Sequence, residues 1–368
     1  MAVLYKVEKC CCTLASTFPK AFCSSLYVWS GYVLAIDIPL KCLQGYSLFL
    51  VFIIALYFAV IGLYSYYMVV LVGGGSPLDF QELRLVDGTP EENEAVVPPS
   101  FLLNKSLTVR NDGSFRYCNK CRVWKPDRCH HCSSCQKCVL KMDHHCPWFA
   151  TCIGFKNVKY FIQFLIYSVL YSSFGLIVTG ELLYKFFTNE EYLENYFSLN
   201  YLFLFILSLT IFISVGVFAG FTVYQVLKNQ TTIESYDFQR YRTNFTKKTR
   251  SNVPYPEVPN SDEMGNIFDL GWKKNLQTVM GTTWREWLLP IQVRDNGNNL
   301  DITYLQGLNF EVNEDIYHKL QQNSKIQNQL YEELMTYRRQ RKQQQQEYMN
   351  LYNESENTET GVAGGLLV

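Results

Sequence analysis

Hydrophobic and polar positions divide this chain into a few long uncharged stretches separated by charged ones. Tyr46 to Val72 carries no charged residue over 27 positions, and Phe197 to Leu227 carries none over 31. Each exceeds the ~20 residues with which a helix crosses a ~30 Å hydrocarbon layer. Phe161 to Gly180 is a third such run, and Ala21 to Ile36 a shorter fourth, limited by Asp37. A charge at mid-bilayer costs roughly 2.5–3.5 kcal/mol, so charge-free runs of this length predict membrane spans. Four transmembrane helices are expected, over 18–38, 47–72, 159–184 and 199–227. Trp29, Tyr66, Tyr67 and Tyr201 sit near span ends and read as interfacial anchors. Glu181 and Lys185, four apart, read as an interfacial ion pair.

The polar remainder is a tail (1–17), a long segment between spans two and three (73–158), a short loop (185–198) and a C-terminal region (228–368). Gly73-Gly74-Gly75-Ser76-Pro77 ends the second span, and the acidic stretch Asp79 to Pro99 reads as loop. Thr108 to Tyr117 predicts a short strand pair turning at Asn111-Asp112-Gly113. Asn266 to Pro290 regains apolar and aromatic residues, which suggests a small packed or membrane-surface module. Gln321 to Tyr352 reads as a solvated helix, and the end around Ala363-Gly364-Gly365 as disordered.

Composition and charge sharpen the picture. The 48% apolar and 15% aromatic content is high for a soluble protein. Net charge is zero, so nothing implies nucleic acid as a partner. Of the 33 Lys and Arg, 11 fall between residues 73 and 158 and 16 follow Leu227, whereas the two short loops on the other side hold only Lys41 and Lys185. The positive-inside rule therefore puts both termini and the 73–158 segment in the cytosol, where thiols stay reduced. The first span is expected to act as an uncleaved anchor. Cys10-Cys11-Cys12, just before it on the cytosolic side, are candidate acylation sites.

The chemistry concentrates in one place. Between Cys118 and Cys152 lie eight of the 13 cysteines and four of the five histidines, within 35 residues. The order is Cys118-x2-Cys121, His130-His131-Cys132-x2-Cys135-x2-Cys138, Asp143-His144-His145-Cys146, then Cys152, with Cys129 also in the window. Disulfides would not explain interleaved histidines, whereas tetrahedral zinc takes four such donors, often as Cys-x2-Cys pairs. Two closed sites would use eight of the twelve candidates and leave four. Cys146, close behind Asp143-His144, has the surroundings of an activated nucleophile: a thiol near an imidazole that a carboxylate holds. A zinc module with no reactive thiol remains open on the residues alone.

Residues 118–161, read as Cys-x2-Cys-x3-Lys-Pro-x-Arg-x2-His-Cys-x2-Cys-x2-Cys-x4-Asp-His-His-Cys-x5-Cys-x4-Asn-x3-Phe, resemble the cysteine-rich domain of the DHHC protein S-acyltransferases. Thr231-Thr232-Ile233-Glu234 resembles that family's Thr-Thr-x-Glu motif after the last span, and Asn266 to Gly281, with Asn275, its C-terminal module. The resemblance covers roughly residues 18–290. Ser76-Pro77-Leu78-Asp79-Phe80, Val123 to His131 and Lys228 to Glu234 are most similar to the vacuolar palmitoyltransferases of fungi. Two departures stand out. Gly75-Ser76-Pro77 replaces the common Asp-Pro-Gly, and Phe149-Ala150-Thr151 stands where relatives often carry Asn.

The resemblance implies an α-helical polytopic membrane protein with a cytosolic zinc-binding domain (about 116–158) between spans two and three. It implies two structural zinc ions, one on Cys118, Cys121, His131 and Cys138, the other on Cys132, Cys135, His145 and Cys152. Cys129 and His130 are left to packing. Cys146 is then the nucleophile, His144 its base and Asp143 the orienting carboxylate. Palmitoyl-CoA or another long-chain acyl-CoA is the implied donor. Cysteines of membrane-associated proteins are the implied acceptors, among them a vacuolar armadillo-repeat factor. Thr232 is a candidate partner of Asp143, with a plain helix-end role as the alternative. Ser30 and Tyr171 occupy family positions that close an acyl cavity, with simple packing as the alternative. Arg116, Arg122, Lys125, Arg128 and Lys141 are available to CoA phosphates. The rival class is a membrane-anchored zinc or RING-like ubiquitin-ligase module, in which Cys146 is a ligand or inert. A transporter would need intramembrane charges or broken helices that the spans lack.

Overall fold

The computed structural model describes residues 2–42, 45–86, 88, 96–110, 114–188, 198–236, 264–293 and 306–322, with scattered helical positions between 329 and 346, and for 2–15 only the backbone. The predicted turn at 111–113, most of the loop at 185–198, the polar stretch 237–263, the side chains of Cys10 to Cys12 and the tail beyond 346 lie outside these residues.

Four helices are long and apolar enough to cross a membrane: Ser16–Cys42, Tyr46–Val72, Val158–Thr188 and Leu199–Leu227. The first is composite. Helix α1 (Ala2–Tyr32) passes through one π-helical turn (Val33–Asp37) into α2 (Ile38–Cys42), and Lys41 pairs with the buried Asp37 at 2.6 Å. Helix α3 (Tyr46–Val72) is the second span, α5 (Val158–Thr188) the third and α6 (Leu199–Leu227) the fourth. The third is central, with half of its most apolar window buried against 28% and 17% for the first and second. Glu181 and Lys185 pair at 2.7 Å at its far end.

The segment between spans two and three starts with a turn that its sequence explains. Ser76 accepts a hydrogen bond from the Leu78 N–H, and Asp79 accepts one from the Ser76 N–H, a reciprocal cap on the single turn Pro77–Asp79. Helix α4 (Ser100–Lys105) follows, and an isolated antiparallel bridge joins Val109 to Phe115. Three two-stranded antiparallel hairpins come next: β1 (Tyr117–Cys118) with β2 (Val123–Trp124), β3 (His130–Cys132) with β4 (Lys137–Val139), and β5 (His144–Cys146) with β6 (Thr151–Ile153). The chain leaves span two hard against them. A Cβ on Gly74 would lie 2.6 Å from Val139 Cγ1, so only glycine fits. Beyond span four come α7 (Thr232–Tyr236), α8 (Trp272–Met280) and α9 (Trp284–Leu288).

Two anchor assignments change. Tyr66 is 1% and Tyr201 5% exposed, so neither faces an interface. Tyr66 stacks on Phe149 at 4.8 Å between ring centroids and donates to the Trp148 carbonyl at 2.8 Å. It belongs to the cluster of Val69, Cys146, Ile153, Phe161 and Leu165 that joins spans and hairpins.

Candidate active site and zinc centres

Strand alternation explains how Asp143-His144-His145-Cys146 divides its work. Successive side chains of β5 point to opposite faces, so His144 and Cys146 share one face and His145 takes the other. On that other face His145 lies opposite Cys152 in the β5–β6 register. Its Nδ1 is 3.3 Å from Cys135 Sγ and 3.6 Å from both Cys132 Sγ and Cys152 Sγ. The preceding hairpin repeats the device: His131 lies opposite Cys138, with Nδ1 3.2, 3.6 and 3.9 Å from Cys121, Cys118 and Cys138. In each group of four the donor atoms all fall within 4.8 Å of one another. Tetrahedral zinc with Zn–S ≈ 2.3 Å and Zn–N ≈ 2.0 Å puts donors roughly 3.5–3.8 Å apart, so both sets fit the ion. The groups are the two that the resemblance implies. Cys129 is fully buried against Cys118 and Cys138, a packing position. His130 next to it is mostly buried, and that burial, reinforced by Arg116, pushes its imidazole down to about 3.

The opposite face holds the reactive groups. His144 Nδ1 lies 2.6 Å from Asp143 Oδ2, and the Thr232 hydroxyl donates to the same oxygen at 3.0 Å. The Thr232 backbone N–H donates to Asp143 Oδ1 at 2.7 Å. A carboxylate that accepts from Nδ1 fixes the tautomer and leaves Nε2 as the free ring nitrogen, on the face of β5 that also carries Cys146. Burial works against a charged imidazole here, but Asp143 and Cys146 outweigh it and hold His144 up at about 9. The ring packs edge-on against Phe161 and Phe218 at 5.4 and 6.2 Å. Cys146 itself is 6% exposed.

What brings Thr232 to Asp143 is a buried ion pair that sequence reading missed. Arg128, with no exposed surface, donates through Nε and Nη2 to both oxygens of Glu234, each at 2.7 Å. Nη1 and Nη2 also reach Asn229 Oδ1 and O, at 2.9 and 2.8 Å. The guanidinium lies over the rings of Phe268 and Phe310 at 4.7 and 5.2 Å. Burial alone would raise the Glu234 pKa, but Arg128 brings it down to about 2. Among the five cations available to CoA phosphates, Arg128 is thus spent on structure. Lys141 donates to Asn229 at 3.1 Å, and Arg116 to Thr108 and the Cys129 carbonyl. Both partners of the lock lie in motifs, but residues 106 apart carry no local signal that they meet.

Asn275 completes the junction, accepting from the Leu270 N–H and donating to the last carbonyl of span four, Leu227, at 2.8 Å. Asn157 ties the end of span two to the last hairpin, donating to the carbonyls of Val69 and Cys152. The departure at Phe149-Ala150 is accommodated differently at each residue. Phe149 is 2% exposed and fills the gap between Tyr66, Phe161 and Phe164. Ala150 sits at φ +49°, a left-handed turn position that Asn tolerates better.

A cavity of about 130 Å³ runs down between spans one, three and four, lined among others by Cys23, Tyr27, Ser30, Phe164 and Tyr171. Cys23 and Phe164 also pack against the cluster that holds Cys146, so the cavity borders that cluster and extends from it into the spans. Tyr171 donates to Ser30 at 3.1 Å deep within it. One helical turn nearer the Cys/His hairpins, Tyr27 and Ser168 are bonded at 2.8 Å, a crossing without a sequence signal.

The family model for the DHHC palmitoyltransferases matches residues 111–239. The palmitoyltransferase PFA3 of Debaryomyces hansenii is 40% identical over 374 residues, covering 90% of this chain and 91% of its own length. The chain belongs to the DHHC palmitoyltransferase family. PFA3 of Saccharomyces cerevisiae is likewise 40% identical, covering 86% of this chain and 92% of itself. A more distant DHHC relative, the rat palmitoyltransferase ZDHHC2, is 32% identical over 77% of the chain and 75% of its own length. As a member of the DHHC family the chain is a multi-pass membrane enzyme with two Cys/His clusters able to hold zinc.

Proposed function

We propose that the protein is a protein S-palmitoyltransferase that carries a long-chain acyl group on Cys146 and passes it to cysteines of membrane-associated proteins. The observation that supports this reading best is the chain Thr232–Asp143–His144 beside a buried thiol whose packing cluster borders an apolar cavity. A purely structural zinc domain gives no reason for a carboxylate held by two Thr232 donors to orient an imidazole beside a thiol that belongs to neither donor group.

In the first step His144 Nε2 takes the Cys146 proton, and the thiolate attacks the acyl-CoA thioester carbon. As the carbon–sulfur bond to CoA breaks, the CoA sulfur takes that proton back. In the second step the acceptor thiol gives its proton to His144 and attacks the Cys146 thioester, and Cys146 leaves reprotonated. Asp143 orients the imidazole and stabilises its charge, and the raised basicity of His144 makes it the stronger proton acceptor. One thioester replaces another, so positioning supplies much of the rate. The acyl tail lies in the cavity toward Ser30 and Tyr171, with burial contributing roughly 0.8 kcal/mol per CH2. Two zinc ions, on Cys118, Cys121, His131 and Cys138 and on Cys132, Cys135, His145 and Cys152, are structural, since four protein ligands leave no open position. Both termini and the zinc domain face the cytosol, where acyl-CoA is supplied. Vacuolar membrane proteins, an armadillo-repeat factor among them, are the acceptors that the resemblance to the fungal enzymes suggests.

The test is to label purified full-length enzyme with palmitoyl-CoA and treat the adduct with neutral hydroxylamine. Cys146→Ser is expected to lose all hydroxylamine-labile label while retaining two zinc ions per chain. Equal labelling of that variant would overturn the assignment.

A further inference from the structure

The third span carries a stripe of polar side chains that face neither the reactive cysteine nor the acyl cavity. Lys159, Gln163 and Tyr167 recur every four residues along one side of α5, and all are 5% exposed or less. Their donors converge on backbone carbonyls of one C-terminal stretch, 286–291. Gln163 Nε2 donates to the carbonyls of Glu286, Trp287 and Leu289 at 3.1, 3.0 and 2.9 Å. The Tyr167 hydroxyl donates to the Leu288 carbonyl, and Lys159 Nζ to that of Ile291 at 2.8 Å.

Depth gives this pattern its meaning. Positions 160–180 are uncharged between Lys159 and Glu181, and 21 residues of helix span about 31 Å, one hydrocarbon thickness. Gln163 and Tyr167 then lie about 6 and 12 Å inside the boundary that Lys159 marks. The stretch goes down past Gln163, turns at Leu288 beside Tyr167 and is back at the level of Lys159 by Ile291. Non-helical backbone at such depth leaves each unbonded carbonyl several kcal/mol unfavourable, because no water reaches it. Here five of the six carbonyls from Glu286 to Ile291 meet a donor from the span, a provision that a stretch lying in water would not need. Its apolar side chains fit the same environment, and Arg285, its one cation, is exposed and lies over the Trp284 ring at 5.5 Å. Trp284, Trp287, Leu288, Leu289, Ile291 and Val293 are all between 37% and 67% exposed, while Glu286, its carboxylate, is 4% exposed and accepts from the Thr282 and Thr283 N–H groups and the Thr283 hydroxyl. Leu289, Pro290 and Ile291 form one wall of a wholly apolar groove of about 630 Å³ whose other wall, Ile53, Tyr57, Val60 and Tyr64, is the lipid-facing side of span two.

We infer that residues 284–291 form a re-entrant strap that dips into the cytosolic leaflet, with phospholipid acyl chains as its partner, filling the groove beside span two. The strap continues the lipid-facing surface of spans two and three and pins the C-terminal module to the bilayer. It is independent of the acyl-transfer reading, because it rests on the spans alone.

The test places the full-length protein in nanodiscs containing phosphatidylcholine brominated near the top of the chains. Trp284 and Trp287 are two of six tryptophans. The fluorescence lost to bromine should fall by at least a third in W284F/W287F relative to wild type, and iodide in the buffer should quench these two residues little. Gln163→Leu removes three of the five carbonyl contacts and should shift Trp287 from bromine-sensitive to iodide-sensitive. Should the bromine-quenched fraction be the same in W284F/W287F as in wild type, the strap is not in lipid. Sensitivity to iodide in the wild type would then mean a water-facing segment, and sensitivity to neither quencher a surface covered by protein. Either result overturns the proposal, and the conservative Trp→Phe changes decide it even where Gln163→Leu does not fold.

Discussion

Thr232 makes two contacts with Asp143, one from its hydroxyl and one from its backbone N–H, and only the first depends on residue type. Thr232→Val keeps the shape and the N–H but removes the hydroxyl donor. A hydrogen bond to a charged group is worth roughly 1.5–3 kcal/mol, so acyl loading should slow about 10- to 100-fold. Single-turnover loading with palmitoyl-CoA measures this, and a wild-type rate would leave Thr232 with a helix-end role only. Cys135→Ser acts through a different chemistry. It removes a donor from a four-ligand set, so zinc content should fall from two ions per chain toward one and the domain should lose thermal stability. Full zinc with a defect confined to acyl transfer would overturn the ligand assignment. The two variants thus separate orientation of the reactive groups from support of the hairpins that carry them.

At the scale of elements the question is what keeps the post-span segment on the zinc hairpins, and the Arg128–Glu234 pair is the main answer. Removing one partner of a buried, hydrogen-bonded pair strands the other charge and costs about 3–5 kcal/mol, whereas replacing both is often near neutral. Arg128→Met should therefore lower the thermal midpoint and slow loading by loosening Thr232, and Arg128→Met with Glu234→Gln should recover part of the stability. A double variant no better than the single one would show that Arg128 acts through Phe268 and Phe310 instead. Because the Glu234 pKa is depressed, the stability it contributes is fully present above the ordinary carboxylate range and lost only as pH falls through about 2. The lock should persist unchanged from pH 5 to 8. This junction marks the limit of what local sequence shows. Spans are legible because charge-free length is a local signal, and the density of Cys and His marks the 118–152 window and the surroundings of Cys146, whereas the pairing of the donors and the separate roles of Asp143 and His144 rest on the family resemblance. Contacts between distant segments carry no such signal, which is why Arg128 reads in sequence as a cation open to CoA phosphates, Tyr66 as an interfacial aromatic, and the Gln163 contacts leave no mark.

For the whole molecule, chemistry depends on which side of the membrane the zinc hairpins occupy, and the basic residues give the prediction. Four Asn-x-Ser/Thr sequons begin at Asn104, Asn229, Asn244 and Asn353, all in segments assigned to the cytosol, and neither short loop on the other side contains one. Oligosaccharide is added only on the luminal side, so all four should stay unmodified. The structure narrows which of them can report. Asn229 is buried, with its side chain bonded to Arg128, Lys141 and the Phe268 carbonyl, so it would escape modification on either side. Asn104 is exposed near the end of α4, within the same folded segment as the hairpins, and reports directly on them. Asn353 reports on the C-terminal tail. Protein expressed in a eukaryotic host should show no change in mobility on treatment with an endoglycosidase. Sugar on Asn104 would put the hairpins in an oxidising space without acyl-CoA, where the eight zinc donors would be exposed to disulfide formation and Cys146 would have no donor to load from. Sugar on Asn353 alone would require an odd number of crossings between the zinc domain and the tail, which spans three and four do not provide.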